Sequence, residues 1–137
     1  MSPERKKAFL FYLCLGVGST DTLVGLLLMA FPAFTLSLMW VPAVSPDALV
    51  FIRFIGAFVF SVGCLYLGAL LSVLFAIGRD RSIRSILLAT AWVRVVVCLF
   101  TTLALLTGQL ELPWVSVPLF DGVLGSLQIW LVLHWDR

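Results

Sequence analysis

LCLGVGSTDTLVGLLLMAF, residues 13–31, decides the fold. It is almost continuous hydrocarbon, yet near its middle Ser19, Thr20 and Thr22 surround a carboxylate, Asp21. Extended back to residue 8, the run is long enough to cross a bilayer core as a helix, which takes about 20 residues. Three further runs of the same kind follow at 48–77, 85–107 and 114–135. In lipid every backbone N–H and C=O must be satisfied internally, so spans are helices or closed barrels. Barrel strands alternate polar and apolar side chains, and stretches such as SILLATAWVRVVVCLF, residues 85–100, do not. The expected class is therefore all-α: an integral membrane four-helix bundle, one transmembrane domain over 1–137. The first run is too long for a signal-peptide core and shows no small-residue cleavage site before the next span.

Composition agrees with this reading. Of the 137 residues, 62% are hydrophobic and only 12% charged, against about 25% charged in an average soluble domain. Mean hydropathy is +1.14. A soluble fold of this length has too little interior to hide so much apolar surface.

The cations give an orientation. Arg5, Lys6 and Lys7 precede the first run, Arg79, Arg81 and Arg84 lie between the second and third, and Arg137 ends the chain. The other two connections, PAFTLSLMWVPAVSPD and GQLELP, contain neither Lys nor Arg. Four crossings put all these cations on one side, which the positive-inside rule makes cytoplasmic. Both termini are then cytoplasmic, and short links make consecutive helices antiparallel neighbours. Trp40 and Trp114 suit the outer interface, Trp130 and Trp135 the inner one. The expected location is the inner (plasma) membrane of a cell, as a multi-pass protein. The scattered cations form no nucleic-acid patch. Between Pro32 and Pro42, AFTLSLMWV is expected to form a short interfacial segment, because proline ends helices and restricts its predecessor.

Each run carries one Asp or Arg, well inside it or near its outer part: Asp21, Arg53, Arg94 and Asp121. A charge at a helix centre in lipid costs about 2.5–3.5 kcal/mol, so the four are expected to turn inward and compensate one another. Helical spacing supports an inward set. Cys14, Gly18, Asp21 and Gly25 share one face of the first helix; Arg53, Ala57, Ser61, Cys64, Gly68 and Ser72 form a stripe on the second. Thr90, Arg94, Cys98 and Thr101 do so on the third, and Pro118, Asp121, Gly125 and Gln128 on the fourth. Small residues let membrane helices approach closely, and Gly16, Gly18 and Gly25 are expected to make that room. At 1.5 Å per residue, Arg53 and Asp121 lie roughly 7 and 10 Å below the outer ends of their helices, Asp21 and Arg94 roughly 15 and 20 Å. Those depths pair Arg53 with Asp121 and Asp21 with Arg94. Such pairs either only fix which helices meet or line a buried site.

Other chemistry is weakly supported. GVGSTD, residues 16–21, follows no strand and has neither the third glycine nor the lysine of a phosphate loop. Cys14, Cys64 and Cys98 are isolated packing thiols without a C-x-x-C pair. His134 is the only histidine, placed at the interface, and no metal or haem set accompanies it. No cofactor is expected.

FIRFIGAFVFSVGCLYLGALL, residues 51–71, resembles the arginine- and glycine-bearing helices of the DoxX-like superfamily of small four-helix membrane proteins. The resemblance rests on Arg53 followed by Gly56 and Gly63, and on the layout of four spans with a proline-rich first outer loop. The first helix departs from many such members in lacking a basic residue. The resemblance implies the bundle and carries over no catalytic residue.

The functional expectation is a non-enzymatic membrane protein with a buried Asp/Arg site open to the outer face. It takes a membrane lipid, another small amphipathic molecule, or a partner helix. Arg53 and Arg94 would hold an anionic or carbonyl group, Asp21 and Asp121 would position them, and Ser19, Thr22, Thr101 and Gln128 would supply neutral hydrogen bonds. One rival is an accessory subunit of a larger membrane complex. Another is a proton-coupled small transporter acting as a homo-dimer, with Asp21 as carrier.

Overall fold

The computed structural model of the chain describes residues 3–75 and 80–134. The elements are α1 (Pro3–Ala30), α2 (Pro32–Leu38), α3 (Pro46–Phe75), α4 (Asp80–Leu106), a 3₁₀ turn (Leu112–Val115) and α5 (Ser116–Leu133), with no strand among the described residues. Four segments, Lys7–Ala30, Pro46–Ser72, Ile83–Leu106 and Leu112–Leu133, are long and apolar enough to span a membrane. The all-α class and four spans are as expected; Ile77, Arg79, Trp135 and Arg137 lie outside the described residues.

Prolines and one glycine set the boundaries. Pro32 and Pro46 stand at the first positions of α2 and α3, where a missing N–H costs nothing. Phe31, ahead of Pro32, is the break between α1 and α2, and its carbonyl accepts bonds from both the backbone N–H (2.9 Å) and the Oγ1 (2.9 Å) of Thr35. The expected segment between Pro32 and Pro42 is thus mostly helix α2. α4 closes at Gly108, whose φ of 70° is open to glycine without a Cβ penalty. Gly108 N–H donates to Leu105 (3.1 Å) and Gln109 N–H to Ala104 (2.8 Å), the paired bonds of a Schellman cap.

The chain packs as two compact units, one from Met1–Leu38 with Pro42–Ile83, the other from Met39–Val41 with Arg84–Arg137. In the first, α1 and α3 meet backbone to backbone. A Cβ on Gly25 would stand 2.4 Å from the Phe60 nitrogen and 2.8 Å from the Gly56 carbonyl oxygen. One on Gly56 would meet the Met29 nitrogen at 2.8 Å, and one on Gly63 the Thr22 nitrogen at 2.5 Å. Gly18 sits under Tyr66 and Leu67. Moving from Gly18 to Leu28 along α1, the partners run from Tyr66 back to Gly56 along α3. α2 packs on both helices.

In the second unit α4 and α5 approach less closely. A Cβ on Gly125 would sit 3.4 Å from Arg94 Cβ, and one on Gly122 would lie 3.3 Å from Cys98 Sγ. The Cys98 thiol donates to the Pro118 carbonyl at 3.3 Å. Large side chains elsewhere on the spans, Phe54, Trp92, Leu99, Leu103, Leu119 and Val123 among them, are exposed, as acyl-chain-facing positions are.

Candidate polar centre

Three of the four expected stripes turn inward. Cys14, Gly18, Asp21 and Gly25 are all buried on α1. On α4, Thr90, Arg94 and Thr101 are buried and Cys98 half-buried; on α5, Pro118, Gly125 and Gln128 are buried and Asp121 half-buried. The hydroxyls of Thr90 and Thr101 are satisfied within their own helix, donating to Ile86 (2.8 Å) and Val97 (2.7 Å). This back-bonding hides a hydroxyl on a packed face at little cost.

The centre of the second unit is an ion pair, Arg94 with Asp121, in which Arg94 Nη1 donates to Asp121 Oδ1. The guanidinium side chain is 5% exposed and the carboxylate 14%. Arg94 also lies over the Phe120 ring, 5.6 Å from its centroid, an arrangement in which the ring quadrupole attracts the cation. Gly125 lies beside the Arg94 stem, with room left for a Cβ 3.4 Å from Arg94 Cβ. Gln128, one turn further, is fully buried; it has a partner, though its Oε1 accepts no hydrogen bond.

This corrects the expected partner of Asp121, which is Arg94 and not Arg53. The depth estimate counted α5 from Trp114, whereas the helical run continues outward through the 3₁₀ turn to Leu112. At about 2 Å per 3₁₀ residue that lowers Asp121 by roughly 4 Å. The remaining step to Arg94 lies within the reach of an arginine side chain.

The fourth stripe is also corrected. Arg53, Ser61, Cys64 and Gly68 are exposed and Ala57 and Ser72 half-buried. The buried face of α3 is instead Ile52, Gly56, Val62, Gly63, Tyr66, Ala69 and Leu70, about half a turn away at 100° per residue. Gly56 and Gly63 fix that rotation, since only they admit the α1 backbone. Ser19 is exposed as well, and Gly16 has open space where a Cβ would stand, so it makes no room for a neighbour. Asp21 is buried at 7% exposure with its carboxylate engaged. Thr22 is half-buried, its Oγ1 pressed toward Gly63 with no hydrogen-bond partner.

Gly18 and Gly25 make room on α1 as expected, while the Phe120 contact and the α3 half of the seam, Gly56 and Gly63, escaped the sequence. The Phe120 contact had no signal beyond its place beside Asp121. The glycine seam did have one, the equal seven-residue spacings Gly18–Gly25 and Gly56–Gly63. Among the described residues no three His, Cys, Asp or Glu side chains gather as metal ligands. His134 stacks on Trp130 at 4.9 Å and its Nδ1 lies 2.9 Å from the Trp130 carbonyl oxygen. No family model, curated protein or solved structure matches the chain.

Proposed function

We propose that the chain is a non-enzymatic, multi-pass protein of a cell's inner membrane, with antiparallel neighbouring helices and both termini cytoplasmic. The Arg94–Asp121 centre holds the anionic or carbonyl head of a small amphipathic molecule that enters from the outer face. The observation that carries this reading is the ion pair itself, buried between two apolar spans. Ionisable groups at such depth are expensive and mark binding sites and pathways. A guanidinium presents a planar fork that matches carboxylate, phosphate or carbonyl oxygens, and Asp121 with the Phe120 ring fixes where that fork points. Thr101 and Gln128 flank it on the same helix faces. The four-helix layout is also what the DoxX-like resemblance implies.

Pyrene-labelled dodecanoate, titrated into the reconstituted chain in neutral phosphatidylcholine vesicles, tests the proposal. The double variant Arg94→Gln with Asp121→Asn keeps shape and hydrogen bonding while removing the charges. It should weaken binding by about tenfold or more, the worth of a charge-assisted hydrogen bond. Equal affinity in the folded double variant sinks the reading.

The accessory-subunit reading has an observation of its own, the outward turn of Arg53.

A further inference from the structure

The short helix α2 divides lengthwise into three stripes. At about 100° per residue, Pro32, Thr35 and Leu36 turn to one side, where they are buried and α2 packs on α1 and α3. Phe31, Phe34 and Leu38 fall within roughly 60° of one another on a second side, and each is more than half exposed. Ala33 and Ser37 share a third side, also exposed. With seven residues, α2 is about 10 Å long, far short of a membrane core. It joins the ends of two spans, Ala30 and Pro46, through a stretch, 31–46, that carries no charged side chain. Trp40, two residues past α2, adds an independent sign. Its φ of 60° is a conformation that bulky residues rarely adopt. The residue is 87% exposed, so packing within the chain does not offset that strain.

We infer that α2 is a wedge set into the lipid leaflet at this end of the spans. Phe31, Phe34 and Leu38 lie among the acyl chains, Ala33 and Ser37 face water, and Trp40 sits at headgroup level. The three stripes match the three media that such a helix meets: protein, hydrocarbon and water. In water the Phe31, Phe34 and Leu38 side would be a bare apolar patch, and hydrocarbon covers it. Indoles favour the headgroup layer, which offsets the backbone strain of Trp40. About two turns of helix are too short a seat for a span of another chain. The chemistry also selects the lipid. Interfacial helices are held by buried apolar area and by basic side chains on anionic headgroups, and this segment has no basic side chain. Its bulky side chains need gaps between acyl chains, so the surface it fits is a neutral, loosely packed leaflet. The inference rests on the four spans crossing a membrane and not on the Arg94–Asp121 centre, so either can fail alone.

The test labels cysteines introduced along α2 with a charged, membrane-impermeant methanethiosulfonate, on the full chain in dioleoylphosphatidylcholine vesicles. The unsubstituted chain is the blank for Cys14, Cys64 and Cys98. Molecules inserted the other way round lower the amplitude and leave the rate unchanged. Phe34 and Ser37 are both exposed on the protein, so the protein by itself gives Phe34→Cys and Ser37→Cys similar rates. In the vesicles Phe34→Cys should react roughly tenfold or more slowly, because a charged reagent is excluded from hydrocarbon. Leu38→Cys should follow Phe34→Cys, and Ala33→Cys should follow Ser37→Cys. Cholesterol, added to tighten the leaflet, should bring Phe34→Cys toward the rate of Ser37→Cys, and phosphatidylglycerol should leave the ratio unchanged. Equal rates for Phe34→Cys and Ser37→Cys in the dioleoyl vesicles overturn the inference. So does protection of all the substituted positions alike, which means that another copy of the chain covers α2. Protection of Phe34→Cys that survives cholesterol, or that needs phosphatidylglycerol, overturns the fit to a loosely packed neutral leaflet.

Discussion

The two halves of the chain hold their helix pairs by opposite means. α1 and α3 are locked by absence: at Gly25, Gly56 and Gly63 an added carbon would stand 2.4–2.8 Å from its nearest neighbours. α4 and α5 are held by presence, an arginine and an aspartate in contact, while their glycines keep 3.3 Å or more of room for the same carbon. In lipid there is no hydrophobic force to bring helices together, so close packing and polar contacts remain as the available means. The glycine seam of the first unit relies on packing and leaves that unit's Arg53 outside the contact. The second relies on the ion pair and tolerates looser steric fit. One half should therefore fail when atoms are added, the other when charge is removed.

The largest expected effect comes from breaking the ion pair on one side. Asp121→Ala takes the α5 carboxylate away from Arg94, and breaking a buried pair on one side costs about 3–5 kcal/mol in interiors. Reversible unfolding in mixed micelles titrated with dodecyl sulfate measures the loss. Replacing both partners, Arg94→Leu with Asp121→Leu, should recover part of it, because neither member of the pair is then left buried without the other. A double variant as unstable as Asp121→Ala alone would mean that α4 and α5 are held by something other than charge.

Next in size are the seam glycines. Gly25→Ala and Gly63→Ala should each cost about 1–3 kcal/mol, the usual penalty of overpacking, since backbone atoms and not flexible tips stand in the way. The same substitution at Gly125 meets Arg94 Cβ at 3.4 Å, ordinary contact, and should stay within about 0.5 kcal/mol. Parallel unfolding curves for the three variants make the comparison. Equal losses at Gly25 and Gly125 would erase the contrast between the halves.

That contrast also explains which parts of the molecule were legible in the sequence. The spans were, because hydrocarbon length is read directly from the chain. So were the inward faces of α1, α4 and α5, because there the charge and the small residues share one line. On α3 they part. Arg53, Ala57, Ser61 and Cys64 make one line, Gly56 and Gly63 another, and polarity argues for the first while backbone approach decides for the second. The pairing of Asp121 was misjudged for a different reason: depth was reckoned from a helix end that the 3₁₀ turn at Leu112–Val115 extends outward.

The smallest effects compare two threonines, one from each half. Thr101 Oγ1 donates to Val97 in its own helix, so Thr101→Val removes one hydrogen bond whose acceptor keeps its backbone partner. The expected cost is no more than about 1 kcal/mol. Thr22 Oγ1 is buried against Gly63 and bonds to nothing. Valine has the same shape without the stranded hydroxyl, so Thr22→Val should be neutral or should stabilise by up to about 1 kcal/mol. The sign at position 22 is the sharper reading, because a seam built on shape alone has no use for that oxygen. If Thr22→Val destabilised the chain in the same unfolding titration, the hydroxyl would be taking part in a polar contact, and packing could no longer account for the first unit by itself.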